Sequence, residues 1–156
     1  MLDRTNLSQL VIPGTESVDL STTEIKVNGQ VLLNTVRPLR IQVTRCANRI
    51  PYAMLTFLDG IPAEQRFPIS DTDLLSPGHT IEVFCGYHGD NELIFKGLIV
   101  RHTVRVLEGT RSHLEIECKD EVVRMSVGRK NKYFYEVSDQ DVINELTRTY
   151  NLETEV

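Results

Sequence analysis

One cysteine and three histidines are the residues best suited by type to bind a metal ion. Cys85 and His88 have the spacing of half a metal site, and His79 and His102 would approach them in a barrel. Tetrahedral zinc needs four converging ligands, or three and a water molecule, and the sequence offers no second pair at a matching spacing. We therefore expect a buried cysteine on a strand and a histidine in a turn, and no metal or other cofactor.

Two carboxylates lie two positions apart in the segment Ser70-Asp71-Thr72-Asp73. This spacing occurs in sites for divalent metals and sugar nucleotides, but the glycine and the distal glutamate of a calcium loop are missing. Aspartate and serine side chains often accept hydrogen bonds from the backbone amides of a turn. We expect both carboxylates to stabilise a polar loop.

Motifs for nucleophilic or nucleotide chemistry are missing from the sequence. No serine lies in a G-x-S-x-G element, and neither G-x-G-x-x-G nor the P-loop pattern occurs. The turn at Gly86-Tyr87-His88-Gly89 is better explained as a connection between strands. No catalytic residue is predicted, and the chain is not expected to be an enzyme.

Basic and aromatic residues are interleaved in one segment, where Arg129-Lys130-Asn131-Lys132 precedes Tyr133-Phe134-Tyr135. Such a combination could stack against single-stranded nucleic acid and neutralise its charge. The positive charges are few, however, and the formal net charge of the chain is -5 at pH 7. Because phosphate-backbone binding depends on clustered Lys and Arg, we expect a solvated or subunit-facing edge and no nucleic-acid partner.

Length and composition indicate one soluble globular domain. The chain has 156 residues, of which 40% are hydrophobic and 25% charged, close to the averages for globular proteins. Its three cysteines are odd in number and far apart, which predicts buried thiols in a reducing compartment. No signal peptide and no apolar stretch of the ~20 residues needed to span a bilayer is present. We expect synthesis in the cytoplasm, with any export by another route.

Apolar residues that alternate with polar ones, or form short β-branched runs, predict at least six strands. They are Glu24–Val27, Leu39–Cys46, Tyr52–Leu58, Thr80–Gly86, Leu93–Leu107 and Ser112–Lys119. Turn-forming pairs separate them: Asn28-Gly29, Asp59-Gly60, Pro77-Gly78, Gly89-Asp90 and Glu108-Gly109. The Asn28-Gly29 pair predicts a hairpin. Gly97, inside the longest strand, predicts a bulge or bend in a strongly curved barrel strand.

The apolar period changes near the end of the sequence. Ser138 can cap a helix, acids follow in the first turn, and Val142, Leu146 and Tyr150 stand at i, i+4 and i+8. A helix is therefore predicted from about Asp139 to Tyr150. It carries one apolar stripe, which we expect to rest on another surface.

Several short motifs occur in an order that resembles a known family. They are Asn48-Arg49-Ile50-Pro51-Tyr52-Ala53-Met54-Leu55, Leu58-Asp59-Gly60, Pro77-Gly78-His79-Thr80-Ile81, Phe95-Lys96-Gly97-Leu98-Ile99, Glu117–Asp120 and Ser138-Asp139-Gln140-Asp141-Val142-Ile143. Over about residues 20–150 the chain resembles the N-terminal region of the VgrG family, the trimeric spike of type VI secretion. It also resembles the relatives of that spike in the baseplate hub of contractile phages and in extracellular contractile injection systems.

The resemblance implies a mainly β fold, a β-barrel of the phage tail-tube or baseplate-hub type at residues 1–137. Residues 138–156 would then be a helix that begins the next segment of a truncated hub. It further implies a structural role that adapts a trimeric spike to a hexameric tail tube for puncturing and effector delivery. The implied partners are two further copies of the chain, an Hcp-like tail-tube protein, baseplate proteins and effectors. The assembled machine would be secreted or injected.

Within this resemblance, residues of two kinds are expected to matter. Backbone-shaping positions are expected at Pro51, Gly60, Gly78 and Gly97. Polar subunit contacts are expected at Arg45, Arg49, Arg101, Arg105 and Arg129. A carbohydrate- or cell-wall-acting β-barrel enzyme or ligand-binding module is the alternative, and a polar pocket gathering His79, Asp71, Asp73 and His88 would favour it. A small-ligand barrel without an assembly role is a third hypothesis.

Overall fold

The computed structural model describes residues 21–33, 35–60, 64–106 and 112–152. These ranges contain seven β-strands, two short 3₁₀ helices (Asp73–Leu75 and Glu121–Ser126) and one α-helix. The strands are β1 (Ser21–Val27), β2 (Gln30–Val31), β3 (Pro38–Thr44), β4 (Tyr52–Leu58), β5 (Thr80–Tyr87), β6 (Asp90–Arg105) and β7 (His113–Lys119). The helix, α1, spans Asp139–Arg148.

All seven strands belong to one antiparallel sheet with the order β2-β1-β5-β6-β7-β4-β3. The predicted closed barrel is wrong, because no pairing joins the β2 and β1 end to β3 within the described ranges. The reason is local: β2 has two residues and pairs only with Lys26 and Val27. Among the described residues, the part of β1 before Ile25 therefore has no strand partner on the side that faces β3. The mainly β class with a short helix near the C-terminus is confirmed.

The core lies on one face of the curled sheet, because inward side chains alternate along each strand. Ala53, Leu55 and Phe57 of β4 are inaccessible to solvent, and their neighbours along the strand are not. The buried apolar residues form one cluster that joins both ends of the sheet. Its members are Ile25, Val27, Leu32, Ala53, Leu55, Phe57, Leu75, Ile81, Val83, Phe95, Ile99, Leu114, Ile116 and Cys118.

The six predicted strands are all present, with ends shifted by a few residues. The prediction for β4 matches at both ends, and the hairpin at Asn28-Gly29 joins β1 to β2 with positive φ at both residues. His88 and Gly89 also have positive φ and join β5 to β6. The predicted turn at Glu108-Gly109 lies outside the described residues.

The β5–β6 and β6–β7 ladders each contain a register shift, where strands bend, and neither shift lies at Gly97. The β6–β7 ladder shifts between Ile99 and Arg101, and the β5–β6 ladder shifts between Val83 and Phe84. A Cβ atom added at Gly97 would overlap the carbonyl oxygen of Lys119 on β7. Gly97 is needed for the close approach of two backbones. The bulge predicted there lies instead between Ile99 and Arg101, three residues later at Val100.

The predicted helix is confirmed, and it ends two residues before Tyr150. Ser138 and Asp141 form a capping box, in which each side chain accepts a hydrogen bond from the backbone amide of the other. The expectation that the apolar stripe rests on another surface is wrong for the described residues. No residue of α1 is buried, and Ile143 and Leu146 remain exposed.

Candidate functional site

The histidines and Cys85 do not come together. His79 Nδ1 lies 3.4 Å from the carbonyl oxygen of Leu74, and His102 Nδ1 lies 3.2 Å from that of Leu75. Cys85 is half-buried on β5, while His88 stands in the exposed turn before β6. Among the described residues, no group of three or more His, Cys, Asp or Glu side chains is arranged to hold a metal ion.

The two carboxylates of the Ser70–Asp73 segment bond to their own loop. Asp71 Oδ2 accepts a hydrogen bond from the amide of Phe67 at 3.1 Å. Asp73 Oδ1 accepts one from the hydroxyl of Ser76 at 3.4 Å. Both side chains therefore stabilise local turns, as the sequence predicted.

A third carboxylate, that of Asp59, holds this loop in place. The sequence predicted Asp59 only as part of a turn with Gly60. It is buried, and Oδ1 accepts hydrogen bonds from the amides of Gly60 and Ile69, each at 3.0 Å. Oδ2 accepts two more, from the amide and the hydroxyl of Ser70. The alternation of buried and exposed residues along β4 could have predicted this role. Residues 53, 55 and 57 face the core, so the same alternation directs the carboxylate at position 59 inward.

The face of the sheet opposite the core is polar and carries ion pairs between β6 and β7. Arg101 donates to Glu117 through Nε at 2.8 Å and also through Nη2, and Arg105 Nε donates to Glu115 at 2.6 Å. The arginine side chains are 67% and 59% exposed. Charged groups on this face are therefore held in place while their outer surfaces stay accessible.

The five arginines predicted as subunit contacts are exposed in this structure. Arg45 donates to the carbonyl oxygen of Ile94 at 2.5 Å, which ties the end of β3 to β6. Arg101 and Arg105 stand together on β6, whereas Arg49 and Arg129 lie in loops. The structure thus brings two of the five to one surface, and their role in subunit contacts stays a prediction.

The predicted backbone-shaping residues occupy three kinds of environment. Gly60 and Gly78 have φ of +107° and +96°, which disfavours a side chain. Gly97 lies against the β7 backbone, and the carbonyl of Pro51 accepts a hydrogen bond from the amide of Asp120 at 3.0 Å.

Aromatic side chains are exposed in the segment between the second 3₁₀ helix and α1. Tyr133 is 99% exposed and Tyr135 is 83% exposed. The basic residues beside them bind within the chain: Lys130 Nζ lies 4.6 Å from the centroid of the Tyr150 ring, and Lys132 pairs with Glu145. This basic and aromatic segment therefore contacts α1 through Glu145 and the residue Tyr150 just after the helix, while the Tyr133 and Tyr135 rings stay exposed.

The three cysteines differ in exposure, so the prediction of three buried thiols is wrong in part. Cys46 is exposed in the turn after β3, and Cys85 is half-buried. Cys118 lies in the core, and burial raises the pKa of its thiol from 9.0 to about 12, with Glu117 acting in the same direction. A core thiol with this pKa stays protonated and unreactive near neutral pH.

Two adjoining cavities of about 420 Å³ each lie between the first residues of β1 and β3. Residues 21–23 and Pro38 line both of them. No helix in the described ranges is long and apolar enough to cross a lipid bilayer.

Comparison with solved structures defines the class of fold. The 43 kDa tail protein of prophage MuSo2 from Shewanella oneidensis superposes with a TM-score of 0.63 over 86% of this chain, at 11% identity. The tail protein from Neisseria meningitidis MC58 superposes with a TM-score of 0.56 over 83% of this chain, at 13% identity. The fold is therefore one found in phage tail proteins. This chain spans 39% and 34% of the lengths of these two proteins.

The family is given by a sequence model that matches residues 17–156. The chain belongs to the Alg8 N-terminal domain family. No curated protein matches the sequence.

Proposed function

We propose that this chain is a structural domain of the hub and spike base of a contractile injection machine. In this role it adapts a trimeric, VgrG-like spike to a hexameric tail tube that punctures a target and delivers effectors. The observation that carries the proposal is the fold, which two tail proteins share over more than four fifths of the chain. An adaptor transmits load through surfaces, so its function depends on faces and edges and needs no reaction centre.

The surfaces of the chain suit such a role. Arg101 and Arg105 present exposed charge on a sheet face whose geometry is fixed by β-strand pairing. Ion pairs at such positions add specificity and encounter rate more than affinity. The exposed Tyr133 and Tyr135 add the aromatic surface that is enriched at protein interfaces.

The placement of polar residues offers little support for the carbohydrate- or cell-wall-acting alternative. Asp71 and Asp73 bond to their own loop, His79 bonds to Leu74, and His88 lies at the β5–β6 turn. None of these four side chains lines the cavities between β1 and β3. The polar pocket that would favour an enzyme is not formed by these residues.

The partners follow from the same proposal: two further copies of the parent protein, an Hcp-like tail-tube protein, baseplate proteins and effectors. Assembly in the cytoplasm would precede release with the machine. Light scattering and sedimentation of the parent protein, alone and mixed with tail-tube subunits, test this directly. We expect a trimer that binds tube subunits, and a strict monomer with no association would overturn the proposal.

A charge reversal refines the test. Arg101→Glu should weaken association with tube subunits or with a second copy, because it reverses an exposed charge on the polar face. Lys96→Glu makes the same charge change on the same strand, outside the predicted contacts. If the two substitutions weaken association equally, Arg101 is not a specific contact in the interface.

A further inference from the structure

Charge is distributed unevenly along the chain, and arginines collect at one end of the sheet. Residues 28–58, which contain β2, β3 and β4, carry four arginines and no acidic residue. β3 is the last strand of the sheet and pairs only with β4 in the described part of the chain. Arg40 on β3 is exposed, and so are Arg45 and Arg49 in the connection to β4. This end of the sheet therefore presents positive charge.

Apolar side chains are exposed beside these arginines. Leu33 is 69% exposed, and Leu39, which precedes Arg40 on β3, is 59% exposed. Leu33 lines one and Leu39 the other of the two adjoining cavities between β1 and β3, so both lie on the same side of the molecule. We call Leu33, Leu39, Arg40, Arg45 and Arg49 the β3 surface. Exposed leucines beside clustered arginines suit a partner that is acidic and carries apolar side chains.

The opposite combination occurs after the second 3₁₀ helix, in residues 133–152. This segment carries four acidic residues and one arginine, and we call it the acidic arm. It includes α1, of which no residue is buried, and Ile143 and Leu146 on this helix are exposed. Tyr133 and Tyr135, which precede the helix, are exposed as well. The acidic arm thus combines negative charge with uncovered aromatic and aliphatic surface.

Contacts within the chain leave part of this negative charge accessible. Glu145 pairs with Lys132, which directly precedes the arm. Glu136 and Asp139 are exposed, and neither forms an ion pair with another residue in the described ranges. Two carboxylates of the acidic arm are therefore available to a basic partner.

We propose that the acidic arm of one copy of this chain binds the β3 surface of a second copy. The carboxylates of the arm then lie opposite the arginines, and its exposed apolar side chains cover Leu33 and Leu39. Every copy carries both halves of this contact, so a second copy supplies the complementary charge and the complementary apolar surface. Opposite charges of this kind guide encounter and fix the relative orientation of the two surfaces.

The contact joins two different parts of the chain, so it is heterologous. Each copy gives its arm to one neighbour and receives an arm from another, and such a contact forms a ring when the rotation between copies closes. The pairing rests on the proposed function for the association of copies, and it adds the two surfaces that join them.

Charge reversal on the two surfaces, separately and together, tests the pairing. Arg40→Glu with Arg49→Glu reverses the β3 surface, and Glu136→Arg with Asp139→Arg reverses the arm and leaves its capping box intact. We expect each pair of substitutions to raise the dissociation constant for self-association about tenfold or more, because like charges then face one another. The chain with all four substitutions again has opposite charges and should associate as the unchanged chain does. Sedimentation over a concentration series measures each constant.

Arg66→Glu with Lys96→Glu is the matched control. Both residues are exposed and lie outside the β3 surface and the acidic arm. The control changes the net charge by the same amount as reversal of the β3 surface, and it should leave the dissociation constant unchanged. Circular dichroism shows that each variant has folded.

Three results would overturn the pairing. Equal weakening by the control and by reversal of the β3 surface would assign the effect to net charge. Failure of the fourfold variant to recover association would show that the two surfaces do not meet. A chain that stays monomeric but binds tail-tube subunits would contradict the pairing alone, whereas a monomer that binds no tube subunits would contradict the proposed function as well.

Discussion

The Asp59 carboxylate accepts two hydrogen bonds from one residue, Ser70, at 2.8 Å from its amide and 2.5 Å from its hydroxyl. Two further amides donate to the other carboxylate oxygen. Asp59, the residue directly after β4, thus anchors a loop eleven residues farther along the chain. The buried carboxylate is thus stabilised by four hydrogen-bond donors.

Replacement of this anchor should destabilise the whole domain. Asp59→Asn removes the charge and presents amide hydrogens to groups that are themselves donors. We expect the free energy of unfolding to fall by about 1.5–3 kcal/mol, the usual range for hydrogen bonds to a charged group. Urea denaturation followed by circular dichroism measures the difference. Asp71→Asn is the matched control, since Asp71 is exposed, and an equal loss in the control would refute the anchoring role.

A methyl group at Gly97 should separate two strands. The added Cβ atom would overlap the Lys119 carbonyl oxygen, which belongs to the β7 backbone and cannot rotate away. We expect Gly97→Ala to cost about 1–3 kcal/mol or more by overpacking. Gly78→Ala has no atom within 4 Å of the added Cβ and should cost only the backbone strain of its positive φ, roughly 1–2 kcal/mol. Thermal denaturation of both variants compares the two costs.

Thiol reactivity should differ sharply between two cysteines. With its pKa raised to about 12, the Cys118 thiol should resist iodoacetamide at pH 8 in the native protein, whereas the exposed Cys46 should react readily. Both should react in denaturant. Peptide mass spectrometry reports each site separately. Rapid native labelling of Cys118 would contradict its burial.

The same pKa gives a pH dependence of stability. The folded state holds the Cys118 proton more tightly than the unfolded state, for which the ordinary value is 9.0. The contribution to stability is therefore complete below about pH 9 and is lost as the pH rises toward 12. Unfolding measured at pH 8 and pH 10 should show lower stability at pH 10. A smaller decrease is expected in Cys118→Val, which has no thiol to titrate.

Loss of the cap should unfold α1 without affecting the sheet. Ser138→Ala removes the capping box and should cost the helix about 1 kcal/mol. No residue of α1 is buried, so the midpoint of sheet unfolding should not change. Circular dichroism at the helical band measures the loss of α1, and amide exchange in β7 measures the stability of the sheet. Gln140→Ala keeps the capping box and should preserve the helix; loss of sheet stability in Ser138→Ala would show that α1 supports the core.

Local patterns were sufficient to predict individual elements. Alternation of apolar residues located β4 to the residue, and Asn28-Gly29 located a hairpin, because both depend on neighbours in the sequence. Ser138 and the acids after it located the start of α1 for the same reason. The family resemblance identified a tail-protein fold, which two solved tail proteins share.

Contacts between distant residues could not be read from those patterns. Gly97 was predicted to mark a bulge, but its role depends on Lys119, which comes into contact only when β6 pairs with β7. Asp59 was treated as a turn residue, since its partner Ser70 approaches only after the loop has folded back. Cys46 was expected to be buried, but it follows the end of an edge strand.

The sequence by itself determined the β class, the strand positions and the capped helix, because alternation, turn chemistry and capping act over a few residues. The tertiary structure decided that the sheet stays open. Closure would require pairing between β1 and β3, and the two-residue β2 leaves the rest of the β1 edge unpaired in the described residues. It also decided that Asp59 is an anchor, since only the folded chain brings four donors to one buried carboxylate.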